Sequence, residues 1–109
     1  MGLSPLQSCA RVSATMLTAW TKRVFVASGV PEAAAKVVAD CLISADLKGV
    51  SSHGVSRIPI YLQRIRLGLV CPDALPKILR ESPSALLIDG MNGLGHPTTD
   101  WAMRLCGMR

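Results

Sequence analysis

Aromatic residues are scarce in this chain, where one Tyr, one Phe and two Trp make up 4% of 109 residues. A core must therefore be built mainly from aliphatic side chains, and half of the residues are hydrophobic, which argues against disorder. The net charge of +5 comes without any block of like charges, and few rings are available to stack on bases. We therefore expect no nucleic-acid partner, and a basic binding domain is the weakest alternative.

Closely spaced cysteine pairs and long hydrophobic runs are also missing. The cysteines, Cys9, Cys41, Cys71 and Cys106, form no C-x-x-C pair, so a metal site is not expected. No apolar run approaches the roughly 20 residues that span a membrane, and the N-terminus has no clean signal peptide. These features predict a cytoplasmic protein with free thiols and no membrane partner.

Helical periodicity dominates the first half of the chain. Residues 1–12 show no period and are predicted to be a flexible leader. Over residues 13–28 an apolar stripe recurs at three- and four-residue steps, and Gly29 is suited to end that helix. Its members are Met16, Leu17, Trp20, Val24 and Ala27. Pro31 favours the first turn of a second helix that ends at Gly49.

The second half mixes helix with short strands. The predicted elements are a loop over 50–54, a third helix over 55–67 capped by Ser51 or Ser52, a linker over 69–76, strands over 77–81 and 85–88, and a last helix capped by Thr98 or Thr99. Two short strands make a marginal sheet by themselves. The pattern therefore predicts an α+β fold in which residues 13–109 are the N-terminal part of a larger domain.

The densest group of reactive side chains lies between Ser51 and Arg57. His53 can give or take a proton near neutral pH, and Arg57 presents a planar fork that matches a carboxylate. The two would share one face if the third helix began early enough. Together they would suit a 2-hydroxy or 2-oxo acid, and Gly54 would let that ligand approach closely. The alternative is a surface histidine, a solvated arginine and a core residue at Tyr61.

A second candidate is the glycine-rich segment Asp89–Gly95. It follows a predicted strand, as phosphate-binding loops do, but Thr98 stands where the dinucleotide fingerprint needs a third glycine. The Lys-Ser/Thr pair of a P-loop is missing as well. A turn-and-cap role is therefore favoured. His96 is expected to be a solvent-facing loop residue rather than a ligand.

Several segments in a fixed order carry a resemblance to a known family. The stretch from Ala39 to Tyr61, with Ser51-Ser52-His53-Gly54-Val55-Ser56-Arg57 at its centre, closely resembles the malate/L-lactate dehydrogenase family. That family includes sulfolactate and ureidoglycolate dehydrogenases and is distinct from the Rossmann-type enzymes. Gly29-Val30-Pro31, residues 64–68 and residues 89–95 fit the same pattern, so the resemblance runs from about Leu17 to about Met103.

The resemblance implies hydride transfer between NAD or NADP and a small 2-hydroxy acid, usually in a homodimer. Ser52 and His53 match the family's acid–base pair, and Arg57 matches an arginine that contacts the substrate carboxylate. Family members are much longer, so the resemblance implies a truncated form whose cofactor is bound mainly by sequence absent here. The alternative is a catalytically inactive fragment that acts as an interaction or dimerisation module.

Overall fold

The computed structural model describes residues 11–108, so nearly all of the predicted leader lies outside the described part. The helices are α1 (Ala14–Ala27), α2 (Glu32–Leu47), α3 (Ile58–Arg66) and α4 (Gly95–Gly107), and the strands are β1 (Lys77–Ser82) and β2 (Ala85–Asp89). Two single-turn 3-10 helices, Ser51–His53 and Val55–Arg57, connect α2 to α3. This order confirms the α+β prediction of four helices and one pair of strands.

The antiparallel pair α1 and α2 forms the main packing unit. The Ser13 Oγ accepts a hydrogen bond from the Met16 N–H at 3.4 Å and caps α1. Gly29 reverses the chain with φ +101°, a conformation that glycine adopts without a steric penalty. Pro31 then precedes α2 and directs the chain back along α1.

The core lies between α1 and α2 and extends to α3 and α4. Its fully buried members include Phe25, Val38 and Leu42, and Ile58 and Leu94 close its far side. The predicted stripe of α1 is partly wrong. Leu17 and Val24 pack on this core, whereas Met16 and Trp20 are 69% and 48% exposed. The helix is rotated so that Thr21 is fully buried. Because Thr21 is polar, it is not part of the apolar stripe from which the core face was predicted.

The predicted strand pair is present as an antiparallel hairpin. Lys77 pairs with Asp89 and Ser82 with Ala85, and the register shifts between Ile78 and Arg80. Neither strand contains a fully buried residue, because no further layer covers the hairpin within residues 11–108. The hairpin therefore extends away from the helical core, and the described chain measures 59 × 29 × 25 Å.

The last helix begins earlier than the sequence indicates. Leu94 is buried in the core with extended backbone angles, and α4 begins at Gly95. Thr98 is therefore inside the first turn, where its Oγ1 donates to the Leu94 carbonyl at 3.0 Å, so neither Thr98 nor Thr99 is the cap. No helix in residues 11–108 is both long and apolar enough to cross a membrane.

Candidate active site

The segment from Ser51 to Arg57 folds as two 3-10 turns separated by Gly54. Main-chain bonds close the turns: the Gly54 N–H donates to the Ser51 carbonyl at 3.3 Å, and the Arg57 N–H donates to the Gly54 carbonyl at 3.0 Å. The predicted loop is thus regular, and α3 begins at Ile58 rather than Val55. Neither Ser51 nor Ser52 caps it, since Arg57 occupies the cap position.

Ser52 and His53 are paired at the exposed end of this segment. The Ser52 Oγ lies 2.9 Å from the His53 Nδ1, within hydrogen-bond distance, and both residues are exposed. This contact orients the imidazole and leaves Nε2 open to a ligand, and the Ser52 hydroxyl donates to or accepts from Nδ1 according to the tautomer. The pair therefore has the arrangement that acid–base chemistry requires, a histidine held at one nitrogen and open at the other.

Asp46, in the last turn of α2, holds this segment against the core. Its Oδ2 accepts a hydrogen bond from the Val55 N–H at 3.0 Å, and Gly54 is buried beside it. A Cβ on Gly54 would collide with the Asp46 carboxylate, so the glycine is required by packing rather than by its backbone angles. We now interpret Gly54 as making room for Asp46 as well as for any ligand.

Asp46 was not predicted to contact this segment, although its position in the sequence carried a signal. A carboxylate in the last turn of a helix faces the negative end of the helix dipole, which is unfavourable. Such a residue needs another partner, and Val55 N–H supplies one here. The position of Asp46 in the last turn of α2, shortly before the chain turns at Gly49, could therefore have indicated a contact with the following segment.

Arg57 lies against an aromatic ring. Its guanidinium carbon is 5.9 Å from the centroid of the Tyr61 ring, within the range of a cation–π contact. The condition for a common helical face of His53 and Arg57 is not met, because the two residues occupy different 3-10 turns and α3 starts only after them. Tyr61 packs partly on the core, as predicted, and also contacts this arginine.

His96 is the second residue that contacts the Tyr61 ring. The two rings meet edge to face, with centroids 5.6 Å apart and planes at 81°. His96 is half-buried in the first turn of α4, so its interpretation as a solvent-facing loop residue is wrong. Burial lowers the pKa of His96 below its ordinary value of 6.5, and its buried Nδ1 has no hydrogen-bond partner within residues 11–108.

An open cavity of about 570 Å³ adjoins these rings. It is lined by Cys41, Tyr61, Leu94, Gly95, His96, Thr99, Asp100 and Met103. Within the described part of the chain, no three His, Cys, Asp or Glu side chains are grouped as metal ligands. Tyr61 and His96 line this cavity, and Arg57 contacts the Tyr61 ring, whereas His53 and Arg57 are not among the lining residues.

The glycine-rich segment forms a tight turn. The Asp89 Oδ1 accepts a hydrogen bond from the Met91 N–H at 2.8 Å, and Met91 and Asn92 have positive φ angles of 55° and 62°. A Cβ on Gly93 would lie 3.0 Å from the Ala74 Cβ, so the linker already occupies the space beside that glycine. These contacts support the turn role over a phosphate cradle.

Comparisons with known proteins agree on one family. Residues 12–109 match the sequence profile described as malate/L-lactate dehydrogenase. The chain is 47% identical over 77 residues to the L-sulfolactate dehydrogenase of Methanocaldococcus jannaschii, covering 71% of this chain and 22% of that protein. It is 44% identical over 95 residues to the malate dehydrogenase of Pyrococcus horikoshii, covering 87% and 26%.

Solved structures give the same result for the fold. The P. horikoshii malate dehydrogenase structure superposes with a TM-score of 0.85 at 44% identity, covering 88% of this chain and 28% of that one. The sulfolactate dehydrogenase of M. jannaschii superposes with a TM-score of 0.83 at 39% identity, covering 86% and 27%. The chain therefore spans about a quarter of the length of the relatives it matches, at their N-terminal portion.

Proposed function

Because the chain belongs to the malate/L-lactate dehydrogenase family, we propose that it supplies the acid–base and carboxylate-binding part of an NAD(P)-dependent 2-hydroxyacid dehydrogenase. The observation that carries the proposal is the Ser52–His53 pair held beside Arg57 in two consecutive 3-10 turns. Its relatives' names include malate and sulfolactate, so small acids with a hydroxyl next to a carboxylate are the proposed substrates.

His53 acts as the proton carrier in this proposal. In the oxidation direction its Nε2 takes the hydroxyl proton of the substrate while the hydrogen on the same carbon leaves as hydride. In the reduction direction the same nitrogen returns the proton to the forming alkoxide. In this proposal Nδ1 carries the ring proton and donates to the Ser52 Oγ across the 2.9 Å contact, so that Nε2 is free to act as the base.

Arg57 binds the substrate carboxylate. A guanidinium donates two parallel hydrogen bonds to a carboxylate, which fixes the acid in one orientation beside the proton carrier. None of the three ion pairs found within residues 11–108 includes Arg57, so no acidic group among them competes for it. The adjoining position of the Ser52–His53 turn then brings the hydroxyl of a 2-hydroxy acid towards the histidine.

The nicotinamide cofactor, NAD or NADP, would accept the hydride. The described residues do not fit a dinucleotide by themselves, because the loop at Asp89–Gly95 is closed by its own turn and lined by Ala74. We therefore assign cofactor binding mainly to the part of the relatives that this chain does not span. One relative, in Chromohalobacter salexigens, is named (2R)-3-sulfolactate dehydrogenase (NADP(+)), whereas the names quoted above specify no cofactor.

A chimera tests the proposal. Residues 12–108 replace the matching N-terminal segment of the P. horikoshii malate dehydrogenase, and oxidation of malate, lactate and sulfolactate is followed with NAD and with NADP. We expect an active enzyme in which Arg57→Ala lowers kcat/KM by about 10- to 100-fold, because a charged hydrogen bond is lost. Arg66→Ala, in the last turn of α3, is the matched control. A folded but inactive chimera, or equal effects of the two variants, would refute the proposal.

A second candidate is a non-catalytic module that pairs with another copy, since relatives of this kind are expected to be homodimers. The observation that favours it is the outer face of α1, where Met16 and Trp20 are exposed. Light scattering of the purified chain tests this candidate. We expect a dimer that Trp20→Ser dissociates, and a monomeric wild-type chain would exclude self-association through this face.

A further inference from the structure

We propose that Tyr61 is a positioning residue for Arg57, and that Phe25 and His96 fix the Tyr61 ring. The substrate-binding arginine would then be oriented by a series of ring contacts that begins in the core and ends under its guanidinium. This inference rests on the proposed function, in which Arg57 receives the carboxylate. It adds three residues, Tyr61, Phe25 and His96, to those that determine how the acid is bound.

A substrate-binding arginine must be held in place while its charge and N–H groups stay available to the substrate. A long side chain samples many rotamers, and fixing it usually requires an acidic partner that neutralises its charge. The Tyr61 ring lies 5.9 Å from the Arg57 guanidinium carbon and attracts the cation through its electron-rich face. Such a contact leaves the N–H groups and the positive charge of Arg57 available to an incoming carboxylate.

The Tyr61 ring is itself held by two other rings. The Phe25 ring, which is fully buried, lies 6.5 Å from the Tyr61 ring at an angle of 49°. His96 meets Tyr61 edge to face from the first turn of α4. Contacts from two different elements restrict the ring more than a contact from one element would. Phe25 from α1 and His96 from α4 thus hold Tyr61 of α3, which in turn orients Arg57.

The charge of His96 affects how strongly the Tyr61 ring attracts Arg57. A cationic imidazole behind Tyr61 would compete with Arg57 for the same ring and would repel its guanidinium. Burial lowers the pKa of His96, so the imidazole is neutral at neutral pH. A neutral ring can support Tyr61 through packing while Arg57 remains the cation on this ring.

Nuclear magnetic resonance of the full chain tests the proposal directly through the Arg57 Nε–Hε signal. A proton close to an aromatic ring is shifted by the ring current, and removal of the ring abolishes that shift. We expect Tyr61→Phe, which keeps the ring, to leave the Arg57 signal in place. Tyr61→Leu should move it to the position of an unrestrained arginine, and His96→Ala should move it part of the way. The signals of Arg64 and Arg66 serve as internal controls.

Titration with L-malate, followed on the same signals, separates this inference from the proposed function. Tyr61→Leu should weaken malate binding by about 2- to 30-fold, as loss of a cation–π contact predicts, and Tyr61→Phe should retain it. An Arg57 signal that Tyr61→Leu leaves unchanged would overturn the positioning role. If the signal moves as expected but the wild-type chain binds no malate, the positioning stands and substrate binding by this chain is refuted.

Discussion

At Gly54 a side chain of any size would meet the carboxylate of Asp46, and that same carboxylate accepts the Val55 N–H. The segment that carries His53 is therefore held against α2 by one hydrogen bond, and the absence of a side chain at Gly54 permits this close approach. Residue types alone made Ser52-His53-Gly54 a weak candidate, and the family resemblance of the surrounding stretch singled it out; its catalytic role stays a prediction. The contact with Asp46 was missed, because its one signal in the sequence is a carboxylate in the unfavourable last turn of a helix.

Gly54→Ala should destabilise the chain by about 1–3 kcal/mol, because Asp46 must move and release the Val55 N–H. Gly95→Ala is the matched control, since nothing lies within 4 Å of the position of its added Cβ. The measurement is the free energy of unfolding in urea for each variant. The cost should shrink when Asp46→Ala is combined with Gly54→Ala. Equal stabilities of the two single variants would contradict the contact.

His96 makes stability depend on pH. Its pKa is lowered in the folded state by burial, so the unfolded chain binds the proton more readily. The contribution of the neutral imidazole is complete above the ordinary pKa of 6.5 and is lost as pH falls from there towards the folded-state pKa.

We therefore expect the free energy of unfolding to fall between about pH 7.5 and about pH 5.5. His96→Gln, which does not titrate, should show a smaller fall over the same interval. Denaturant unfolding of both proteins at the two pH values provides the comparison. An identical fall in both would show that His96 does not titrate in the way its burial requires.

The elements of this chain were predictable to different degrees. Helices α1 and α2 were found because apolar periods are bounded by Gly29, Pro31 and Gly49, and the hairpin because a Ser-Pro-Ser turn separates two apolar runs. Helix starts were less well predicted, since main-chain turns at Ser51–Arg57 and a buried Leu94 set them rather than a capping side chain. The core face of α1 was missed in part because apolar Met16 and Trp20 are exposed.

Thr21 is the polar residue buried in the face of α1 that packs on the core. Its side chain is fully buried, and its Oγ1 has no hydrogen-bond partner within residues 11–108. An unpaired buried hydroxyl costs about 1–3 kcal/mol, so Thr21→Val should raise the free energy of unfolding by about 1 kcal/mol.

Thr18→Val is the control on the same helix, because the Thr18 Oγ1 donates to the Ala14 carbonyl at 2.7 Å. This variant should bring no gain in stability. Thermal or urea unfolding of the two variants distinguishes them, and a loss of stability in Thr21→Val would indicate that its hydroxyl is satisfied.

The described chain as a whole is the N-terminal portion of a dehydrogenase fold. It superposes on longer relatives over about a quarter of their length, and its hairpin extends from the helical core without a covering layer among the described residues. Composition and charge led us to expect no nucleic-acid or membrane partner, and that expectation stays a prediction. Composition does not indicate which surfaces are covered by the remaining sequence in a longer relative. The reason is that an apolar residue counts the same whether it is exposed or buried.

The role of His53 as proton carrier is tested most directly by the turnover of the chimeric enzyme described above. His53→Ala is compared with the parent chimera at saturating malate and cofactor, with Arg66→Ala as the control variant. We expect kcat to fall by about 10²- to 10⁴-fold in His53→Ala, because the hydroxyl proton loses its acceptor. A kcat in His53→Ala equal to that of the parent chimera would contradict it.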